Sequence, residues 1–278
     1  MATGLSVIIP ASNEAEHIGA CLDALFRSAA PDGDVQVVVV PNGCRDATPK
    51  IARSYADAAQ ARGWTLDIVE LAQGSKLAAL DAGDAAALYP ARAYVDADVV
   101  VSGQLVAQTL AALDCDDARY VTGEVRLAYV PSWVTRAYGR FYRQVPFMQQ
   151  TAPGCGYFAV NRAGRARWGT WPQIISDDTF ARLSFAPNER VQVAAAYDWP
   201  LVEGFANLVK VRRRQNAGVD EITARFPALQ RNDSKLRFGT GALISAALRA
   251  PLGFVIYGAV ALCVKLTPAR NRGWDRGR

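Results

Sequence analysis

The chain has 278 residues, 51% of them hydrophobic and 21% charged, which suits one large α/β domain or a domain with an appendage and excludes a low-complexity or disordered protein. The net charge of +5 is modest and local, concentrated in residues 210–214 and from Lys265 onward. That distribution favours patches for phosphates or anionic lipid, and no nucleic-acid-binding motif accompanies it. The five cysteines are odd in number, scattered and without a C-x-x-C pair, so neither a disulfide framework nor a zinc site is signalled, and a reducing compartment is expected.

Residues 5–10 form a short apolar, β-rich run that suits a strand buried on both faces, and Pro10 ends it. The chain enters this strand almost at once, with no basic region or cleavage site, so no secretory signal is expected. Ser12 or Asn13 is placed to cap a helix in which Ile18, Leu22, Leu25 and Phe26 recur at helical spacing. A second strand, 35–40, closes at the turn Pro41-Asn42-Gly43. A helix over 48–62, a strand over 66–71, a loop at 72–75 and a helix rich in Ala and Leu follow. The next strand leads into Tyr94-Val95-Asp96-Ala97-Asp98.

Four strands alternating with helices predict a parallel, doubly wound sheet, whose ligands bind beyond the carboxyl ends of the strands. Every polar cluster so far lies at such an end: residues 11–14, 42–46, 73–76 and Asp96 with Asp98. This coincidence argues for a single active site. In an extended chain Asp96 and Asp98 project to one face, where two carboxylates repel unless a cation joins them. An oxygen-seeking Mg²⁺ or Mn²⁺ that also holds phosphate oxygens answers that need. The plainer alternative has Asp96 capping a turn and Asp98 in solvent.

The second half is less regular. Residues 120–129 suit a strand, and 133–148 a helix that mixes aromatic side chains with arginines, either a core helix or one lying at a membrane surface. Residues 151–156 form a tight corner into the apolar run 157–160. Asp177 and Asp178 stand at a helix start, where Ser176 or Asp177 could be the N-cap. The tail, 238–265, is apolar but broken by Pro251, and its uninterrupted part falls short of the roughly 20 residues a spanning helix needs. With Lys235 and Arg237 on one side and Lys265, Arg270 and Arg272 on the other, it reads as an interfacial or re-entrant anchor on an anionic leaflet. A hydrophobic hairpin packed on the domain is the alternative.

Taken in order, "IIPASNEAEHI", "VVVVPNGCRDAT", "GSKLAALDAG", "YVDAD", "GCGYFAVNR" and "SDDTF" resemble glycosyltransferase family 2 over about residues 5–215. The resemblance implies the GT-A nucleotide-sugar-binding fold, with a mostly parallel α/β sheet flanked by helices, over 1–225; the helical tail over 226–278 is read from its own composition as membrane-associated. It implies that Pro10, Ala11 and Glu14 line the nucleotide pocket, and that Asn42 stands where the family has an aspartate, with Asp46 the later acid of that motif. Lys76 would approach the donor diphosphate or base, Asp96 the ribose and metal, and Asp98 the metal directly. Gly154 and Gly156 would admit the donor sugar close to the backbone, and Asp178 would be the catalytic base.

Arg212, Arg213 and Arg214 could hold a diphosphate, of the donor or of a lipid-linked acceptor, with Asp177 and Gln215 beside them; a solvated basic turn is the alternative. Gln215 lacks the following Arg-Trp of processive members, so transfer of a single sugar is expected. His17, the one histidine, is read as a surface or helix-packing residue. The expected protein is an inverting, metal-dependent glycosyltransferase on the cytoplasmic face of the cell membrane. It would take a UDP-, GDP- or dTDP-sugar as donor and a lipid-linked or saccharide acceptor. A catalytically inactive membrane-attached scaffold and a sugar nucleotidyltransferase are the rival readings.

Overall fold

A computed structural model describes residues 4–234 and 238–267. Lys235, Arg237, Arg270 and Arg272, expected to flank the apolar tail, lie outside the described residues. The first half runs β1 (Gly4–Ala11), α1 (Ile18–Arg27), β2 (Asp34–Pro41), α2 (Thr48–Arg53), α3 (Ala56–Ala61), β3 (Thr65–Ile68), α4 (Lys76–Ala86) and β4 (Ala91–Val95). The second half runs β5 (Val100–Val101), α5 (Leu105–Leu113), β6 (Tyr120–Leu127), α6 (Trp133–Tyr142), α7 (Pro146–Gln149), β7 (Tyr157–Val160), α8 (Arg162–Arg165), α9 (Asp177–Leu183), β8 (Arg190–Trp199), α10 (Phe205–Arg225), α11 (Thr240–Arg249) and α12 (Pro251–Leu266).

All eight strands join one sheet in the order β3-β2-β1-β4-β7-β6-β8-β5. The first four are parallel, as the βα alternation predicts; β7 then runs antiparallel to β4 and to β6, while β6 pairs parallel with β8. The sheet is therefore mixed, and its change of direction falls at β4, the strand that leads to Asp96. β1 and β2 are buried along nearly their whole length. One face of the sheet packs against α1 and α5, through Leu22, Leu25, Leu105 and Leu110, and the other against α4 and α9, through Leu80 and Phe180. Such continuous apolar strands are what a sheet covered on both faces requires.

A third cluster, apart from the sheet, joins α6, α10, α11 and α12 around Tyr138, Phe141, Leu208, Ala246 and Val260. The aromatic-basic helix is thus a core helix of this cluster, although Trp133 at its start is exposed. The tail packs onto the domain, with Gly253 so close to the Ala137 carbonyl that no side chain would fit. Among the described residues no single helix is long and apolar enough to cross a membrane; α11 and α12 together are, but they meet at 117°.

Several local expectations change. Neither Ser12 nor Asn13 caps α1; His17 occupies the cap position, and Asn13, at φ 53°, instead accepts a hydrogen bond from the Arg45 amide (2.7 Å). The helix over 48–62 divides where Tyr55 turns in to stack on Phe26 and donates to the Gly19 carbonyl (2.8 Å). β4 ends at Val95, so Asp96 and Asp98 sit on a turn closed by Val99 N–H to the Asp96 carbonyl (3.0 Å), not on alternating strand positions. Arg212, Arg213 and Arg214 lie within α10, not on a solvated turn.

Asp84 of α4 fastens the second face. Its carboxylate accepts hydrogen bonds from Arg92 (2.9 Å), Tyr94 (2.7 Å), Arg165 (2.7 Å) and the Trp171 indole (2.9 Å), with only 8% of its side chain exposed. Removing one partner of a buried ion pair strands the others. Asp84→Ala should therefore cost about 3–5 kcal/mol, read as a lower urea midpoint with an unchanged slope.

Candidate functional site

The carboxyl ends of β1, β2 and β4 open into one cavity of about 230 Å³. Pro10, Glu14, Asn42, Lys76, Asp96 and Asp98 line it, with Gly156, Asp177 and Asp178 from the second half and Arg212, Arg214 and Gln215 from α10. Four sequence candidates stand off its wall: Ala11, Asp46, Gly154 and Arg213.

Asn42 explains how the first loops are held. It is 2% exposed, and its amide donates to the carbonyls of Ala11 (3.0 Å) and Val40 (3.2 Å) while its oxygen accepts from the Ser75 amide (3.0 Å). Ser75 in turn caps α4 through Ala78 N–H (3.2 Å), so α4 begins in a fixed place with Lys76 at its first position. An aspartate side chain at position 42 would have no N–H to give those carbonyls. Asp46 has a different task. Its carboxylate accepts from Thr48 N–H (3.0 Å), the Thr48 hydroxyl (2.6 Å) and Ala15 N–H (3.0 Å), clasping two loops from outside. Burial works upward on its pKa, but these hydrogen bonds outweigh it and hold the carboxyl below its ordinary value.

At the centre, Lys76 Nζ lies 2.9 Å from Asp96 Oδ1 and 3.1 Å from Asp177 Oδ2. Burial opposes its charge, yet Asp177, Asp96 and Asp178 outweigh that effect and hold the ammonium well above the usual lysine range. Asp178 follows on α9 and accepts from Thr179 N–H (2.6 Å). Burial, then the neighbouring Asp177 charge, raises its pKa above the carboxylate norm, with Lys76 offsetting part of the rise. No side chain caps α9: Ser176 holds the cap position without a bond, and Asp177 is turned to Lys76 instead.

The two glycines divide. Gly156, at φ 76°, lines the cavity and accepts from Asp96 N–H (2.9 Å), and a Cβ there would meet Trp199 and Val99. Gly154, at φ 71°, instead makes room for the Tyr120 hydroxyl. Arg213 leaves the other arginines and donates to Thr267 (2.6 Å).

Sequence reasoning missed a whole wall: Tyr138, Tyr142, Trp199, Leu201, Leu208 and Val211 give the cavity an apolar side. Trp199 ends β8, so the strand-end rule would have found it had that alanine-rich strand been recognised. Asp96 and Asp98 share the cavity, and among the described residues no cluster of three or more His, Cys, Asp or Glu forms a metal cage. Two carboxylates fit a divalent ion that completes its coordination with ligand phosphates and water.

Asn42→Asp should lower stability by about 1–3 kcal/mol, the cost of two lost side-chain hydrogen bonds, and calorimetric melting would read it. An unchanged melting temperature would contradict the latch assigned to Asn42.

The family model for glycosyl transferase family 2 matches residues 6–181. Glycosyltransferase AglE of Haloferax volcanii is 32% identical over 126 residues, 45% of this chain and 40% of that protein. The 4,4'-diaponeurosporenoate glycosyltransferase of Staphylococcus aureus is 31% identical over 167 residues, 58% of this chain and 40% of that protein. The matched parts thus span about two fifths of those relatives' length. The mannosyltransferase PcManGT of Pyrobaculum calidifontis, solved with GDP-Man and Mn²⁺, shares the fold at a TM-score of 0.62 and 18% identity, over 94% of this chain and 75% of that one. With most of its length under the family model, the chain belongs to glycosyl transferase family 2.

Proposed function

We propose that the protein transfers one sugar from a nucleoside-diphosphate sugar to an acceptor hydroxyl, with inversion at the anomeric carbon. The observation that carries this reading is the placement of Asp178, a carboxylate with a raised pKa, in the same cavity as Asp96 and Asp98. Such a carboxylate is a better proton acceptor near neutral pH than an ordinary one. Asp178 takes the proton of the acceptor hydroxyl as its oxygen bonds to the anomeric carbon. On the opposite face the bond to the diphosphate breaks, and the nucleoside diphosphate leaves.

Pro10, Glu14 and Asn42 line the nucleotide end, and Gly156 leaves the backbone bare beside it. Lys76, shared by Asp96 and Asp177, lines the cavity, where it would meet the diphosphate oxygens. Asp98 and Asp96 would hold a Mg²⁺ or Mn²⁺ ion, which when bound neutralises charge on the diphosphate. PcManGT, with its GDP-Man and Mn²⁺, supports this choice of partners.

The acceptor is lipid-linked or a saccharide precursor, and the protein lies peripherally on the inner face of the cell membrane. Leu248, Leu252, Val255 and Leu262, all exposed on the bent pair α11–α12, support an interfacial position. Asn42, where the family has an aspartate, is accounted for by its three hydrogen bonds, so its amide is no reason to prefer an inactive scaffold.

Calorimetric titration with UDP, GDP and dTDP, each with and without Mn²⁺, tests the donor site. One nucleotide should bind tightly with metal and lose at least about tenfold in affinity without it or in Asp98→Ala. Failure of all three to bind with metal would overturn the reading.

A further inference from the structure

The cavity is chemically two-sided. A smaller niche shares Lys76, Asp96, Asp177 and Asp178 with it, but not Arg212, Tyr138 or Tyr142. Away from that niche, Arg212 of α10 reaches into a cage of tyrosines from α6 and α12. Its guanidinium donates to the Tyr257 hydroxyl (3.0 Å) and stands 5.4 Å from that ring's centroid. Tyr138 stacks on both Tyr142 (5.5 Å) and Tyr257 (5.4 Å), which closes the cage.

Arg212 carries its charge at any physiological pH, and Tyr257, Tyr138 and Tyr142 surround it. Neutral rings do not compensate that charge, so the donors not given to tyrosine hydroxyls are left for an anion. Beside it the wall is apolar, formed by Trp199, Leu201, Leu208 and Val211. α12, which supplies Tyr257, also carries the exposed Leu252, Val255 and Leu262. Those three lie on the face of α12 opposite Tyr257, whereas Arg212 and the apolar wall share one cavity.

We infer that Arg212 and its tyrosine cage form the acceptor subsite, and that the acceptor carries a phosphate on a single apolar chain, the phosphate on Arg212 and the chain along Trp199 and Leu208. This rests on the donor–acceptor reading above and adds the acceptor's chemical class and the residue that reads it. The sugar hydroxyl that reacts at Asp178 is then a separate group, and the phosphate is the handle by which the acceptor is held.

The test is equilibrium binding of farnesyl phosphate, farnesol, inorganic phosphate and dihexanoyl phosphatidic acid to the full chain, wild type and Arg212→Gln, with nucleotide affinity measured in the same samples. Farnesyl phosphate should bind at least about tenfold tighter than farnesol or inorganic phosphate, and Arg212→Gln should remove that preference while nucleotide affinity is kept. Tyr257→Phe, which keeps the ring and drops one hydrogen bond, should lose part of it and guards against a misfolded glutamine variant.

Equal binding of farnesol and its phosphate would overturn the inference, as would a preference that survives Arg212→Gln and Tyr257→Phe. Phosphatidic acid binding as tightly as farnesyl phosphate would assign the cage to a membrane headgroup instead. A tenfold loss of nucleotide affinity in Arg212→Gln would assign it to the donor. If no nucleotide binds wild type while the phosphate preference holds, the donor reading falls and the cage stands.

Discussion

Three carboxylates, Asp96, Asp177 and Asp178, meet one ammonium, Lys76, at the mouth of the sheet, and the rest of the molecule makes that meeting possible. Without the cation the acids would repel one another in a half-buried space. With it, two are paired and the third is left only partly compensated, which is why burial and Asp177 still raise the pKa of Asp178. The elements that bring the four together come from distant parts of the chain. β4 ends at the Asp96 turn, α4 begins at Lys76, and α9 begins at Asp177. Asn42 and Ser75 fix the start of α4, and Gly156 pins the Asp96 turn.

The arrangement carries a cost in stability with a definite pH window. A carboxyl whose pKa is raised by folding is penalised in its ionised form. The penalty is absent below its unfolded pKa and fully present above the folded one, so the contribution of Asp178 to stability falls as pH rises between them. The fold offsets this elsewhere, in the doubly covered β1 and β2 and in the buried Asp84 hub. The third cluster, built from α6 and the tail helices, gives the cavity its apolar wall. The polar residues at the strand ends and the apolar wall are therefore parts of one cavity with different structural supports.

Much of this was legible because strand ends advertise themselves. The runs at 5–10 and 35–40 and the acids after Val95 point to one rim, and Pro10, Glu14, Asn42, Lys76, Asp96 and Asp98 do line it. What the sequence hid is nonlocal. Asp96 and Asp98 converge through a turn, not strand alternation, because the sheet hands over to β7 at that point. β8 has alanines where a strand usually shows branched side chains, so the wall it ends in went unseen. Arg212, Arg213 and Arg214 look alike in a row of basic residues. On α10 the helical turn sends Arg212 into the tyrosine cage and Arg213 to Thr267. Asn42 looks like a lost acid until its three hydrogen bonds are counted.

The most direct measurement of the shared charge is the ¹³C shift of the Asp178 carboxyl followed against pH, in wild type and in Lys76→Met. Charge sharing predicts a midpoint above the ordinary aspartate value of about 3.9, moved higher again when the ammonium is removed. A wild-type midpoint at or below the ordinary value, or one indifferent to the loss of Lys76, would contradict it.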